Sequence, residues 1–196
     1  INGDLLADNP HLDADSVATR QTTYRDAISN IANITSFNDI LNKKLSTTFL
    51  TDKLDAPLTK YAETYRVTGG QGTAASPYTY EVRNTTVYGY GSRGDVLADD
   101  ATLDADAVLA TQTVYRGPVA DLSNITNRKV SATFFANKVD GALAKYTENY
   151  LATANVQGQI TTYSDYLVRN TTVLGYGDGT LLADDLLLDS DSSATR

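Results

Sequence analysis

The sequence predicts a mainly β fold (α+β at most, with about one short helix per repeat), built as two tandem small β-rich modules in an elongated arrangement. Three observations carry this expectation. The chain repeats itself at a period of about 85–91 residues. Much of each period alternates apolar and polar side chains or is rich in β-branched and aromatic residues, the marks of half-buried strands. Glycine-rich turns, "GYGSRGD" and "GYGDG", punctuate the repeats.

The repeat is plainest in an acidic, aliphatic phrase. It reads "GDLLADNPHLDADSV" at 3–17, "GDVLADDATLDADAV" at 94–108 and "GTLLADDLLLDSDSS" at 179–193. Residues 3–35 align with 94–126 without a gap, and 17 of those 33 pairs are identical. Copy one then carries six extra residues within "SFNDILNKK". The match resumes between 44–65 and 129–150, and closes with "VRNTTVYGYG" (82–91) against "VRNTTVLGYG" (168–177). The third copy stops at Arg196. With the cut at the glycine turns, the expected units are 1–92 and 93–178, and 179–196 is the truncated start of a third. Such a period is too long for one solenoid coil and gives each unit room for its own small core. Beads on a string is the expected organisation.

Within a unit, the acidic phrase is read as the first strand and edge, running on into the β-branched "SVATRQTTY". "KLSTTFL" places Leu45, Thr47 and Phe49 on one face and Ser46 and Thr48 on the other. "YTYEVRNTTVYGY" (78–90) places Tyr78, Tyr80 and Val82 opposite Thr79, Glu81 and Arg83, and is long enough to require a bend near Asn84. Between these strands, Leu54, Leu58, Tyr61 and Tyr65 recur at spacings of four, three and four, as do Val139, Leu143, Tyr146 and Tyr150. That stripe predicts the short helix, with Asp55 as its cap and Pro57 in its first turn. A strand reading survives for Tyr61, Glu63, Tyr65 and Val67.

Composition narrows the function. With 41% hydrophobic and 20% charged residues, the chain can pack a core and is not a disordered polymer. A net charge of −8 repels nucleic-acid phosphates and anionic lipid, so neither is expected as a partner. No apolar run approaches the roughly 20 residues of a membrane span, so membrane insertion is not expected either. The chain opens with Ile1 and shows no secretory signal pattern, which reads as a processed product or an excerpt. Cys, Met and Trp are absent, which removes disulfides, thiolate nucleophiles and Cys-based zinc sites. Tyr supplies 13 of the 17 aromatic side chains and suits half-buried strand positions.

Three sets of residues are candidates for chemistry. Asp13 with Asp15, Asp104 with Asp106, and Asp189 with Asp191 alternate, so in an extended segment both carboxylates of a pair point the same way. Like charges so placed repel unless water or a hard cation intervenes. With Asp99 they form a candidate Ca²⁺ clamp between modules, and Ca²⁺ is the one cofactor the sequence suggests. No segment matches an EF-hand loop, and a solvated acidic edge that deters foreign strands is the alternative. Arg93, Gly94 and Asp95 spell the tripeptide read by integrins in many matrix proteins. They sit in a turn, where glycine is needed in any case. Asn33, Asn84, Asn124 and Asn170 begin glycosylation sequons, with turn asparagines followed by strand threonines as the alternative. His11 has Thr102 as its counterpart, no Ser–His–acid set repeats, and no enzyme is expected.

"YTYEVRNTTV" resembles the closing strand of MBG-type repeats, mostly bacterial β-grasp modules that often read "Y-x-I-x-x-x-N-G-x-L-T-V". "LDADSVATRQTTYRDAI" resembles their opening, with Tyr24, Arg25 and Asp26 standing where Tyr-Gly-Asp would be. "VLGYGDGTLLADD" is similar to the "Y-D-G-T" phrase of the related YDG repeats. These modules occur in long arrays in filamentous-haemagglutinin-type surface adhesins. The resemblance implies an extracellular or cell-surface stalk segment and transfers no catalytic residue. Its partners would be neighbouring repeats, identical subunits, or a host glycan or protein. Two other readings stay open. One is a filament subunit whose partial third unit is completed by strands from the next chain. The other is a carbohydrate-binding pair with Tyr88 and Tyr90 as stacking platforms.

Overall fold

A computed structural model describes residues 15–29, 33–53, 57–104, 106–136, 142–158, 160–176, 181–184 and 188. The first repeat contributes β1 (Arg20–Tyr24), β2 (Lys44–Leu50), β3 (Thr59–Gly69), β4 (Thr79–Tyr90) and the short β5 (Val96–Leu97). The second contributes β6 (Leu109–Arg116), β7 (Lys129–Ala136), β8 (Leu143–Gln157) and β9 (Ile160–Val173), followed by the short β10 (Gly175–Tyr176) and β11 (Leu181–Leu182). Strands β1 to β9 form one nine-stranded sheet in the order β1-β2-β3-β4-β6-β7-β8-β9, with β5 beside β4. Every pairing is antiparallel. The fold is mainly β, as the alternating segments require.

The expected helix is a strand. Tyr61 and Tyr65 lie on β3, paired with β2 through Phe49↔Tyr61 and with β4 through Tyr65↔Val82; Tyr146 and Tyr150 lie on β8 in the same way. A spacing of four fits one face of a strand as well as one face of a helix, and tyrosine, threonine and valine tip the balance towards strand. The odd step of three arises at a bulge: β2 and β3 pair at Phe49↔Tyr61 and then at Leu50↔Thr59, skipping Lys60, and β7 and β8 pair at Phe134↔Tyr146 and then at Phe135↔Ala144, skipping Lys145. The Leu58 N–H donates to Thr51 Oγ1 at 2.8 Å. Leu54, Asp55 and Val139 lie outside the described residues. Helical positions among the described residues are all 3-10: Asn33, and the turn Phe37–Asp39 within the extra segment of copy one. Ser36 caps that turn, and Asp39 closes a capping box back to the Ser36 N–H at 2.8 Å.

The acidic phrase is mostly turn rather than strand. In copy two only Val96 and Leu97 pair, and they do so with the end of β4. Ala98 is buried against Leu58 and Tyr90, with Leu103, Ala107 and Leu109 packed on that cluster. In copy three Ala183 and Leu188 are buried with Ala136, Leu143 and Tyr176. In the described parts of copies two and three, Ala98, Leu103, Ala107, Ala183 and Leu188 thus form a plug, while Asp95, Asp99, Asp100, Asp104, Asp106 and Asp184 face outward. The cut between 92 and 93 falls in the turn joining β4 to β5, so the plug written at 96–107 packs on strands of the first repeat.

Much of the polar framework recurs between the two repeats. Tyr90 donates its hydroxyl to the Thr59 carbonyl at 2.9 Å, and Tyr176 does so to Ala144 at 2.8 Å. Lys60 pairs with Asp99 at 2.6 Å, and Lys145 with Asp184 at 2.8 Å. Phe49 stacks on Tyr61 at 4.4 Å, and Phe134 on Tyr146 at 4.6 Å. Lys44 Nζ lies 3.7 Å from the Tyr65 ring centre, and Lys129 Nζ 3.9 Å from that of Tyr150. The Lys44 N–H donates to Tyr80 Oη at 2.9 Å, and the Lys129 N–H to Tyr166 Oη at 3.0 Å. Both long hairpins bulge at the same arginine. β3 and β4 pair at Thr64↔Asn84 and then at Tyr65↔Val82, skipping Arg83; β8 and β9 pair at Asn149↔Asn170 and then at Tyr150↔Val168, skipping Arg169.

Tyr65 and Tyr150 donate to the Glu63 and Glu148 carboxylates at 2.7 and 2.5 Å. Burial first, and then these carboxylates, raise both phenols far above their ordinary value. Burial lowers Lys44 and Lys129 below the usual lysine value. A phenol whose pKa is raised on folding contributes stability that is complete below its unfolded pKa of about 10 and is lost as pH rises through the folded value. The lysines act oppositely, folding being favoured as they deprotonate, but the phenol shifts are the larger. We predict that urea stability falls as pH rises above about 10, and that Tyr65→Phe with Tyr150→Phe makes the fall smaller, the rest coming from the other phenols that burial raises, Tyr24, Tyr61, Tyr88, Tyr90, Tyr115 and Tyr176. The difference in tyrosinate absorbance between the chain and this double variant, followed through the same titration, is expected to appear only as the chain unfolds.

Candidate functional site: the seam between repeats

The feature that sets this chain apart from separate modules is the joint between β4 and β6. Seven residue pairs form it, from Asn84↔Arg116 to Tyr90↔Leu109. Thr85 faces Tyr115 and Val87 faces Thr113. Thr85 is 0% exposed and Val87 6%. Thr85 Oγ1 donates to the Gly117 carbonyl at 2.8 Å, and the Gly117 N–H donates to the Arg83 carbonyl at 3.0 Å. The Arg83 bulge is thus closed by the next repeat. Gly117 holds φ at +75°, a conformation open to glycine and tolerated by Asp or Asn. At the other end of the seam, Gly94 (φ +70°) lies under Thr111, whose hydroxyl donates to the Gly94 carbonyl at 3.1 Å. A Cβ at Gly94 would come within 2.3 Å of Thr111 Cγ2, and one at Gly89 within 2.0 Å of the Gly94 carbonyl oxygen.

These contacts place the sequence candidates. Gly94 of the adhesion tripeptide is a seam glycine, while Arg93 and Asp95 are exposed on the β4–β5 turn. Asp99 is engaged by Lys60. Asp100 accepts from the Thr102 hydroxyl and N–H at 2.7 and 2.8 Å, and these bonds hold its carboxyl below the usual range. Asp15, Asp104 and Asp106 are exposed, and among the described residues no three acidic or histidine side chains gather as a metal site. Asp13, Asp189 and Asp191 lie outside the described residues. Asn33, on a 3-10 position, and Asn124, in a bend, are exposed; Asn84 and Asn170 stand within β4 and β9 at the bulges, with Asn170 accepting from Asn149 Nδ2 at 2.7 Å. Tyr90, expected as a stacking platform, is 4% exposed and belongs to the first apolar cluster. Tyr88 is half-buried against the same cluster.

A second feature belongs to the first repeat alone. The extra segment folds over the sheet, the Arg20 guanidinium sitting 4.0 Å from the Phe37 ring centre. It walls a cavity of 740 Å³ with Lys44, Tyr65, Tyr78 and Tyr80. In the second repeat Thr111 replaces Arg20, Ser164 replaces Tyr78 and the segment is six residues shorter. Both cations already lie over aromatic rings, so the cavity's chemistry is chiefly that of closing the loop on the sheet.

Sequence reasoning missed Thr85, Val87 and Gly117 as joint residues. The signal was present as "RNTTV", identical at 83–87 and 169–173, and as "QTxYR" at 21–25 and 112–116. These are the two sides of the joint. Among the described residues no helix is long and apolar enough to cross a membrane. Compared with family models, curated proteins and solved structures, the chain has no match.

The equivalent threonines give an internal control. Thr85 is buried in the seam, whereas Thr171 is exposed on β9. Thr85→Val removes a buried hydrogen bond and orphans the Gly117 carbonyl, so it is expected to cost about 1–2 kcal/mol. Thr171→Val, on the monomer, is expected to change stability by less than about 0.5 kcal/mol. Urea denaturation of the two variants at high dilution measures the difference.

Proposed function

We propose that this chain is a non-catalytic structural segment of an extracellular or cell-surface protein, a stalk or adhesin repeat of the MBG/YDG kind that supplies length and stiffness. One observation carries the reading: the last long strand of one repeat pairs with the first strand of the next, so repetition adds strands to a single sheet. A segment joined this way resists bending at the joint because bending would break ladder hydrogen bonds as well as side-chain packing. Flexible linkers between beads offer no such resistance. The scarcity of charge, the absence of cysteine and the threonine-rich strands support a surface role. The lack of any repeated nucleophile–base pair supports a non-catalytic one.

Sheet growth has a measurable step. Each repeat adds four strands to the main path, and at about 4.8 Å between strands that is roughly 19 Å per repeat, wound by the right-handed twist of the strands. Small-angle scattering from chains of two, four and six repeats is expected to show the maximum dimension rising by about that step for each added repeat, roughly 38 Å from one chain to the next. A dimension that scatters broadly and grows as the square root of repeat number would mean freely jointed beads and would defeat the reading.

A further inference from the structure

We propose that the chain associates head to tail with a second copy of itself, the outer edge of β1 in one copy pairing antiparallel with the outer edge of β9 in the next, in the register of the internal seam. The inference rests on the structural reading above and names its partner. Among the described residues, β1 pairs only with β2 and β9 only with β8, so each presents one unpaired edge. The two edges are the two sides of a joint the molecule already makes. Arg169–Val173 on β9 repeats Arg83–Val87 of β4 letter for letter. Gln21, Thr22, Tyr24 and Arg25 on and just after β1 repeat Gln112, Thr113, Tyr115 and Arg116 of β6.

Burial shows what the missing neighbour would cover. Thr85 and Val87 are 0% and 6% exposed inside the seam, while their counterparts on β9 are open: Thr171 is exposed and Val173 is 58% exposed. An exposed valine on an open strand edge is a site that natural sheets cover or blunt. Backbone shape agrees as well. Asp26 stands at the Gly117 position and holds φ at +64° against +75° for the glycine, an uncommon conformation for a residue with a side chain. It therefore presents its N–H and carbonyl as Gly117 does, towards the atoms of Arg169 and Thr171 in the next copy. The internal register transposes to Asn170↔Arg25, Thr171↔Tyr24, Thr172↔Thr23, Val173↔Thr22 and Leu174↔Gln21. The plug site beside β9 is already filled by Ala183 and Leu188, so the incoming copy need supply only its edge. The joint uses two different surfaces and does not close on itself, so it propagates as an open chain. Copies each carrying −8 repel one another, and salt is expected to strengthen the association.

The absence of cysteine makes the test clean. Thr23 and Thr172 are exposed in the single chain, so Thr23→Cys and Thr172→Cys in the full chain leave the fold intact. Opposed residues in an antiparallel pair bring Cβ atoms within disulfide reach. Mild oxidation of the two variants mixed together is expected to give chiefly the mixed disulfide, and that product is expected to be lost when Gln21→Cys replaces Thr23→Cys. Sedimentation of the unmodified chain should show its mass rising with concentration. A dominant Thr172→Cys homodisulfide would mean β9 pairing with β9 and would overturn the proposal. So would a chain that stays monomeric at every concentration and salt, and that result would leave the scattering step per repeat untouched.

Discussion

The antiparallel pairing of β4 with β6 is the constraint on which the rest of the structure depends. Without it the chain is two four-stranded meanders, each with one apolar cluster of a few side chains. With it, β4 becomes an interior strand, Thr85 and Val87 lose their solvent, and the Arg83 bulge gains the Gly117 clasp. Local details of both repeats then follow. The glycines at 89 and 94 are needed because Thr111 of the second repeat closes down on them. The plug of Ala98 and Leu103 must sit beside Tyr90, since the chain has to turn back there to begin the next strand.

Burial of apolar surface contributes less here than in a layered domain. Among the described residues the buried ones are few, and four of them are threonines: Thr47, Thr51, Thr85 and Thr111. Cross-strand contacts carry a larger share, at a few tenths to about 1 kcal/mol each. Stacked Phe–Tyr pairs, lysines laid over tyrosine rings and tyrosines hydrogen-bonded to carbonyls recur at equivalent places in both repeats. Such a design scales. Each added repeat brings its own pairs and completes the burial of the strand before it, which is how a repetitive chain gains stability with length.

Much of this was legible in the sequence, and the failures have physical causes. Alternation identified β2 and β4, and the demand for a bend near Asn84 is met by the bulge at Arg83. The stripe at Leu58, Tyr61 and Tyr65 misled because a spacing of four serves strand and helix alike, and because a bulge at Lys60 supplies the step of three that a regular strand lacks. The acidic phrase looked like a strand and is a plug. Its aliphatic letters were correctly apolar, but alternation cannot tell a strand from a turn that dips into a core twice. The seam was the hardest feature to read. A period sets which strands are equivalent but not whether the last of one unit pairs with the first of the next; that depends on the turn at Gly91–Asp95 folding the chain back through β5, which no local pattern encodes. In hindsight, the near-identity of "RNTTV" and of "QTxYR" in both copies marked the joint, because both sides of a repeated interface must keep their letters.

Native-state hydrogen exchange at high dilution tests most directly whether the two repeats share one sheet. Amides of Thr85 to Tyr88 that point towards β6 should exchange as slowly as those that point towards β3, while outward amides of β9 exchange fast. If the β6-facing amides of β4 exchange at the rate of the β9 edge, the seam does not exist in solution and the repeats are separate modules after all.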